Sequence, residues 1–433
     1  MPRSVRVGLG KLLAIFVGRN PEQRAKKLCD SAIVLSKDGA WCWFQDPRAV
    51  YIEGLQRQTY AGWMTSDGKL QVGTYDHDTR EIKVVTLKEK WDVDDHNTNS
   101  FLVLPDRRIM VFYARHNKNG LYSMITSRPE DISKWEDEVT IVNTNAITYS
   151  HPVYLNNERR FYVFWRGESW KPTFSTSLDA KTWTDPQILI QENGREDRSI
   201  RPYVKVVSDG KSEIHFAFTD GHPMDESTNS IYYLKYRRGE FYKANGARVG
   251  TLDELPIQHS ESDIVYRGKA NKIRSWVWDI ALDKEGNPII AYTQLPSETD
   301  HRYHYAYWNG DAWFDNEITY GGKWFPQTSV SSHETEPYYS GGITFDHANP
   351  SSVYISRQVG ALFELEKWTT DNRGKTWFSV VITSNSMQKN VRPVVPRGYV
   401  GNNDHVLWMQ GNYVHFTNYK TKIMLLVPQK ITG

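Results

Sequence analysis

A chain of 433 residues with 53 basic and 51 acidic side chains carries a formal net charge of only +2. This balance excludes the strong positive field typical of nucleic-acid and membrane-surface proteins, although it allows a local basic pocket. No apolar run approaches the roughly 18 residues that cross a bilayer, and two cysteines, Cys29 and Cys42, exclude a disulfide framework and a cysteine-based zinc site.

The first 30 residues form a segment of their own. Arg3, Arg6 and Lys11 precede the apolar run 12–17, a pattern that fits a short export signal without a clear small-residue cleavage site. The same pattern fits an amphipathic helix packed against the following domain. We therefore expect residues 1–30 to be an N-terminal extension, either a signal remnant or a short helix. Only the first interpretation indicates a secreted or periplasmic protein.

From residue 31 onward the chain repeats a short strand, rich in Val, Ile, Tyr and Phe, that follows a polar turn. The turns lie at residues 65–69, 104–107, 156–158, 208–211, 283–287 and 346–349. Strand-like runs lie at residues 109–113, 161–165, 214–218, 288–292 and 353–356. Their spacing of roughly 45 to 75 residues matches one propeller blade with variable loops. Residues 31–433 are therefore predicted to form an all-β, seven-bladed β-propeller of four-stranded antiparallel blades.

Two hairpins in this region have the pattern of an Asp box, residues 175–183 and 369–377, and a looser third copy spans 127–135. In such a hairpin Asp and Ser or Thr side chains bond the turn backbone, and a Trp packs between sheets. The aspartates of the boxes, Asp179 and Asp371, are therefore predicted to be structural, and we exclude them from the functional site.

Polar residues at strand ends are the candidates for function, since propeller loops converge there on the mouth of the central channel. His96 and His116 are each followed by Asn, and Arg115 precedes the second of them. An imidazole takes or gives a proton near neutral pH, so these two histidines are candidates for proton transfer. Two surface or capping histidines would give the same pattern.

Two further groups follow along the chain. Tyr149 precedes one strand and Arg166 ends the next, where a guanidinium can clamp a carboxylate and the adjacent Trp165 can stack on a sugar. Arg201 and Tyr203, with His222 one strand later, extend this set or form a tight turn. A structural salt bridge of Arg166 is the alternative to a binding role.

A metal site is not predicted. His301 and His304 have a suggestive spacing, but no cysteine or second carboxylate–histidine pair lies nearby in sequence. Nor does the sequence contain a phosphate-binding loop, a dinucleotide fingerprint or a nucleophile elbow.

Several of these segments resemble the BNR-repeat proteins that include the seven-bladed ulvan lyases. The segments are residues 39–50, 95–97, 164–167, 201–205, 219–223 and 339–343. The resemblance extends over residues 32–395 and implies a catalytic group of two histidines, a tyrosine and an arginine. Matched by motif, these are His96, His116, Tyr149 and Arg166, with Tyr162 as the alternative tyrosine. The predicted substrate-binding residues are Asn97, Arg115, Trp165, Arg201, Tyr203 and His222.

The resemblance implies a polysaccharide lyase that cleaves a rhamnose and uronic acid polymer such as ulvan by β-elimination. Arg166 would neutralise the uronate carboxylate, and His96 would remove the C5 proton with help from His116. Tyr149 would protonate the departing O4, and these roles are exchangeable because the sequence determines residue types and not distances. The expected partner is an acidic, uronate-containing and sulfated polysaccharide or oligosaccharide, with no nucleic acid and no membrane. No cofactor is required for this chemistry, which is compatible with a structural cation.

Two other functions stay open. Related propellers are glycoside hydrolases that release rhamnose from glucuronic acid, with a histidine on the opposite face and early in the chain. Here residues 30–76 contain no histidine, and His77 is the first. A sialidase-like hydrolase would require three convergent arginines and a Tyr–Glu pair, which the sequence does not assemble. A non-catalytic carbohydrate-binding propeller is the third function, and the retained histidines and Arg166 argue against it.

Overall fold

The structure is a computed structural model that describes residues 31–192, 200–325, 336–401 and 403–427, without the side chain of Glu168. The predicted N-terminal extension, with Cys29, lies outside these residues. The chain forms seven antiparallel sheets, and the innermost strands of successive sheets contact one another. An isolated bridge between Val50 and Arg397 joins the last sheet to the first. The predicted seven-bladed propeller is therefore confirmed.

The first three sheets follow one another in chain order. Strand β1 (Ala32–Ser36) belongs to the seventh sheet. The first sheet contains β2 (Ala49–Glu53), β3 (Arg57–Met64), β4 (Leu70–Asp76) and β5 (Ile82–Lys88). The second contains β6 (Ser100–Val103), β7 (Ile109–Ala114), β8 (Leu121–Arg128), β9 (Asp131–Trp135) and β10 (Val139–Val142). The third contains β11 (Thr148–Leu155), β12 (Arg160–Arg166), β13 (Pro172–Ser177) and β14 (Gln187–Ile188).

The remaining sheets complete the ring. The fourth contains β15 (Val204–Ser208), β16 (Glu213–Thr219), β17 (Ile231–Arg237), β18 (Glu240–Tyr242), β19 (Arg248–Thr251) and β20 (Asp263–Tyr266). The fifth contains β21 (Arg274–Leu282), β22 (Pro288–Ser297), β23 (Asp300–Trp308) and β24 (Trp313–Gly322). The sixth contains β25 (Ile343–Phe345), β26 (Ser352–Val359), β27 (Leu362–Thr369) and β28 (Phe378–Val381). The seventh contains β29 (Lys389–Val394), β30 (Val406–His415), β31 (Asn418–Leu426) and β1.

Helical structure is confined to short turns in the described ranges. Helix α1 is Gly268–Asn271, and 3₁₀ turns lie at Asp95–Asn97, Glu168–Trp170, Leu252–Glu254 and His259–Glu261. None of these is long and apolar enough to cross a membrane.

Two sheets exceed the four strands predicted for each blade. In the second sheet, β9 pairs with β8 beside the main path. In the fourth sheet, β19 continues the path beyond β18, and β20 pairs with β17. The third and fourth strand-like runs are the most widely spaced in the sequence, and the additional strands of the fourth sheet lie in this longer stretch of chain.

The seventh sheet joins the two ends of the described chain. Strand β1 pairs with β31, so that Ala32 lies opposite Leu426 and Val34 opposite Met424. The first strand of the described chain therefore completes the last sheet as one of its edge strands, and these backbone hydrogen bonds close the ring.

Residues 40–47, here called the channel segment, lie among the innermost strands. The Cys42 amide donates to the Asp95 carbonyl at 3.0 Å, before the second sheet. Trp43 is 1% exposed and stacks on Trp278 of β21, with ring centroids 4.4 Å apart. Lys205 of β15 donates to the Trp43 carbonyl at 2.6 Å. Since it contacts the second, fourth and fifth sheets together, the channel segment lies on the axis of the ring and fills it.

The two Asp-box hairpins differ in the residue that holds the turn. The Asp179 carboxylate accepts from the backbone N–H of Lys181 at 2.8 Å and of Thr182 at 2.7 Å, as predicted. In the second hairpin the acceptor is Asn372, which bonds the Thr376 backbone N–H at 2.9 Å. The structural role predicted for Asp371 is therefore wrong. The Thr370 hydroxyl donates to the side chain two residues later, and that side chain closes the turn. The residue at this position is Asn372.

Replacing Trp43 with Ala should strongly destabilise the propeller, because it empties the centre of the ring. Large-to-small changes of a buried Trp cost about 3–5 kcal/mol. The measurement is the urea concentration at half-unfolding, followed by circular dichroism. Leu178→Ala is the matched control, since this side chain is 65% exposed and its loss should leave the midpoint nearly unchanged. Equal midpoints for both variants would contradict a packed channel segment.

Candidate active site

Two stacked imidazoles share one carboxylate at the start of β6. Asp94 caps the 3₁₀ turn Asp95–Asn97 by accepting from the His96 backbone N–H at 3.0 Å. Its Oδ1 lies 2.6 Å from Nδ1 of His96, and its Oδ2 lies 2.9 Å from Nδ1 of His116, which follows β7. The two rings stack with centroids 4.1 Å apart and planes 15° apart. Because both Nδ1 atoms face Asp94, both Nε2 atoms are turned away from it, side by side.

The two histidines differ in charge. Burial opposes a charge on His96, but the Asp94 carboxylate that contacts its Nδ1 favours the imidazolium, and the pKa of His96 is raised well above its ordinary value. Burial and the neighbouring charge of His96 lower the pKa of His116 to about 4, against the effect of Asp94. At neutral pH the pair therefore holds one extra proton, on His96, and His116 is neutral.

Tyr149 reaches this pair from a bulge at the start of β11. The pairing of β11 with β12 shifts register between Thr148 and His151, and Tyr149 has a φ of +63°. Such a left-handed conformation is unfavourable for a large side chain and is typical of positions where a bulge re-aims a residue. Its ring lies 5.6 Å from the ring of His96. Burial raises the pKa of Tyr149 well above its ordinary value, so the phenol stays protonated.

Arg166 ends strand β12 beside Tyr149. Its guanidinium is 4% exposed and donates from Nη1 to the Tyr203 hydroxyl at 2.9 Å and from Nη2 to the Asn117 side-chain oxygen at 2.8 Å. Its Cζ lies 4.8 Å from the Tyr149 ring centroid. Among the described side chains, no carboxylate forms an ion pair with it. The charge of Arg166 is therefore held by neutral oxygens and aromatic faces, and an anionic ligand can pair with it.

His222 extends the site beyond Tyr203. Its Nδ1 accepts from the Met224 backbone N–H at 3.1 Å, so a neutral ring carries its proton on Nε2. The ring lies 5.5 Å from Tyr203 and 4.5 Å from Trp276. Burial and the charge of Arg201 lower the pKa of His222 well below its ordinary value, which keeps it neutral. His222 is therefore a fixed hydrogen-bond donor next to Arg201.

The structure brings the four predicted catalytic side chains into one group. His96 stacks on His116 and lies near Tyr149, whose ring face is covered by Arg166. The channel segment supplies the base of this group, because the Phe44 ring lies 5.1 Å from Tyr149. Their catalytic roles stay predictions.

The other predicted substrate-binding residues differ in what they contact. Trp165 is 0% exposed and packs in an apolar cluster of the second and third sheets, so its indole is not available to a sugar. The strand alternation that turns Arg166 towards the site turns Trp165 away. Asn97 uses its amide within the protein, accepting from the His116 backbone N–H at 2.6 Å and donating to the Trp91 carbonyl. Arg115 lies over the Trp91 ring, with its side chain 40% exposed.

Neither the alternative tyrosine nor the second histidine pair joins the group. The Tyr162 hydroxyl contacts Glu158 and the Tyr236 hydroxyl, the latter at 2.8 Å. His301 contacts the Ser340 hydroxyl at 2.7 Å, whereas His304 lies 3.1 Å from Asp315. The two rings have separate partners and do not converge on a common point.

Two groups of potential metal donors overlap at His96 within the described part of the chain. Cys42, Asp95 and His96 form one, and Asp94, His96 and His116 form the other, with donor atoms within 4.8 Å of one another. In both groups hydrogen bonds and ion pairs already engage the carboxylates and the imidazole Nδ1 atoms. We therefore do not assign a metal to either group, and catalysis without a metal stays a prediction.

Sequence reasoning assigned no role in the site to Asp94 or to the channel segment. Asp94 stands two residues before His96, a spacing at which an Asp side chain commonly caps the backbone, and this signal was available. Phe44 had no comparable signal, because its aromatic run reads equally well as blade packing.

The comparisons with known proteins agree with this architecture. The sequence model of the family described as "BNR repeat-containing family member" matches residues 58–320. No sequence among the curated proteins matches the chain significantly.

Solved structures of lyases have the same fold. An ulvan lyase of polysaccharide lyase family PL25 is 15% identical, with a TM-score of 0.70 over 92% of this chain and 96% of that chain. The same family's ulvan lyase bound to -[GlcA(1-4)Rha3S]- is 14% identical, with the same TM-score and coverage. The polysaccharide lyase Uly1 is 10% identical, with a TM-score of 0.59 over 93% of this chain and 95% of that chain. At these identities the likeness establishes the fold.

Replacing Asp94 with Asn should lower the pKa of His96. Burial opposes a charge on His96, and without the Asp94 carboxylate this effect of burial is no longer offset by that carboxylate. The measurement is the titration of ring carbon shifts in protein labelled at histidine. Asp92→Asn is the matched control, two residues away with its side chain 61% exposed, and should leave the titration unchanged. An unchanged His96 titration in Asp94→Asn would contradict the shared-carboxylate arrangement.

Proposed function

Because the chain belongs to the BNR repeat-containing family, we propose that it is a polysaccharide lyase that cleaves a polymer of rhamnose and uronic acid by β-elimination. The observation that carries the proposal is a buried arginine, without a described carboxylate partner, close to two stacked imidazoles that share the Asp94 carboxylate. Elimination at a uronate needs a cation for the carboxylate, a base for C5 and an acid for O4. Arg166, the histidine pair and Tyr149 supply these three functions.

The first step is neutralisation of the uronate carboxylate by Arg166. Its Nη1 and Nη2 bond neutral oxygens of Tyr203 and Asn117, so pairing with a substrate carboxylate does not require another ion pair to break. A guanidinium beside the carboxylate stabilises the negative charge that develops when C5 loses its proton. In this proposal His222, a neutral donor beside Tyr203, bonds a sugar hydroxyl.

The second step is proton transfer. The neutral His116 takes the C5 proton on Nε2, the C4–C5 double bond forms, and the C4–O4 bond breaks. Tyr149 gives its phenolic proton to O4, and solvent returns the proton from His116 to Tyr149. His96, as an imidazolium stacked on His116, stabilises the developing anion. Sequence reasoning favoured His96 as the base, and the charge distribution favours the exchanged assignment.

The substrate we propose is a large anionic polymer such as ulvan, with sulfated rhamnose next to the uronate. A related structure contains -[GlcA(1-4)Rha3S]-, which combines these two sugars. Trp170 lies 5.0 Å from the Cζ of Arg201 and 5.8 Å from that of Arg166, so an aromatic face and two cations border the site. Since such a polymer is degraded outside the cell, we propose that the protein is secreted. The reaction as written needs no cofactor.

Incubation with ulvan should produce the ultraviolet absorbance of a conjugated, unsaturated uronate. His116→Ala should reduce the initial rate by about 10²–10⁴-fold, because the base is lost. His304→Ala removes a histidine on β23, away from the group, and should retain the rate. Release of rhamnose or reducing ends without this absorbance would indicate a hydrolase instead. Binding with no product would indicate a carbohydrate-binding propeller.

The dependence of kcat/KM on pH should be bell-shaped. As the pH falls through about 4, His116 becomes protonated and can no longer act as a base, so activity is lost on the acidic side. As the pH rises above the raised pKa of His96, the imidazolium is lost and activity falls on the alkaline side. A rate that declines steadily below neutral pH would contradict a neutral His116 as the base.

A further inference from the structure

A second carboxylate lies directly beneath the histidine pair. Asp95 is 0% exposed, and its Oδ1 lies 3.1 Å from Nδ1 of His96. Its Oδ2 is bound by Nη1 of Arg392 and by the Tyr413 hydroxyl, the latter at 2.6 Å. A bare carboxylate at this distance would compete with Asp94 for the protons of the pair.

Arg392 is built into the protein as the partner of Asp95. It lies in β29, at a register shift between Val391 and Val394, with a φ of +52°. Its guanidinium is 2% exposed on the side chain and donates from Nη1 to the Trp41 carbonyl at 2.8 Å. A left-handed conformation at a buried arginine persists only where the surroundings demand it, and such positions cluster at functional sites.

Aromatic rings hold the guanidinium in place. Its Cζ lies 4.6 Å from the ring of Tyr413, 5.2 Å from that of Trp43 and 5.5 Å from that of Phe325. Trp43 belongs to the channel segment, so one packed unit fixes both the centre of the ring and the charge beside Asp95.

The charges around the pair can be counted. The titratable and charged groups that face His96 are Asp94, Asp95, Cys42, Tyr149 and His116, with Tyr413, Tyr419 and His222 beyond them. Those that face His116 are Asp94, His96 and Arg166. Asp94 and Asp95 are the two carboxylates among them. Arg392 neutralises Asp95, which leaves Asp94 as the one uncompensated carboxylate for two imidazoles, with Arg166 as a cation on the side of His116.

We propose that Arg392 is a positioning residue that cancels the charge of Asp95, so that the histidine pair retains a single proton and one neutral ring. Without that cancellation, two carboxylates would face two imidazoles, both rings would be protonated in weak acid, and the base would be lost. The inference rests on the proposed function, because it concerns how the proposed base stays neutral.

The test compares Arg392→Met, Arg392→Lys and the double variant Asp95→Asn/Arg392→Met. In Arg392→Met, the acidic limb of the rate profile on ulvan should move upwards by about one pH unit or more. Arg392→Lys keeps a cation and should retain the original limb. The double variant removes both charges and should return the limb towards its original position. The reason is that the shift comes from the uncompensated charge of Asp95 and not from the loss of the ion pair itself.

A second readout does not require substrate. Titration of labelled histidine rings should show the lower pKa of the pair rising in Arg392→Met and returning in the double variant. An unmoved titration in Arg392→Met, or one that stays raised in the double variant, would overturn the role assigned to Arg392. Absence of unsaturated product from the parent protein would count against the proposed function alone, because the titration is measured without polymer.

Asp95→Asn alone keeps the test decisive if Arg392→Met does not fold. This variant retains the cation and removes its partner, so a positive charge is left beside the pair. The lower pKa and the acidic limb should then both move downwards. No movement in either would overturn the proposal.

Discussion

The site depends on one carboxylate shared by two imidazoles. Asp94 can stabilise one positive charge strongly, and the stacked rings of His96 and His116, 4.1 Å apart, repel each other if both are charged. A donor and an acceptor of protons therefore stand side by side although the two residues are chemically identical. Burial by itself would leave both rings neutral, and the shared Asp94 carboxylate allows one of them to hold a charge.

The channel segment, in the middle of the propeller, positions this arrangement as much as the loops do. The channel segment packs Trp43 against the fifth sheet and Phe44 against Tyr149, and its backbone binds Asp95 through the Cys42 amide. Side chains from the second, third and fourth sheets thus rest on a common base. A rigid base suits chemistry in which the atoms that exchange protons must be held within a fraction of an ångström.

The sequence predicted the fold well because the evidence for a propeller is local and repeated: polar turns, short strands and their spacing. It also selected His96, His116, Tyr149 and Arg166, since the resemblance supplied their types and order, and the structure brings these four side chains together. It could not supply distances, so the pairing through Asp94 and the partner of Asp95, almost 300 positions away, stayed hidden. Trp165 was misjudged because a residue next to a site in sequence lies on the opposite face of its strand. Asp371 was predicted to bond the turn backbone, but the side chain that does so belongs to the next residue, Asn372.

The pairing of β1 with β31 has a consequence for synthesis on the ribosome. The strand β1, which completes the last blade, is made before every other described strand of the ring, yet its partner β31 is made nearly four hundred residues later. The channel segment is likewise made before β21, which supplies Trp278, and before β29, which supplies Arg392. The nascent chain must therefore carry unburied tryptophans until the final blade is released, a period in which pairings of such high contact order are slow and exposed to aggregation. The ring therefore closes in one cooperative step, only after its last strand has been made.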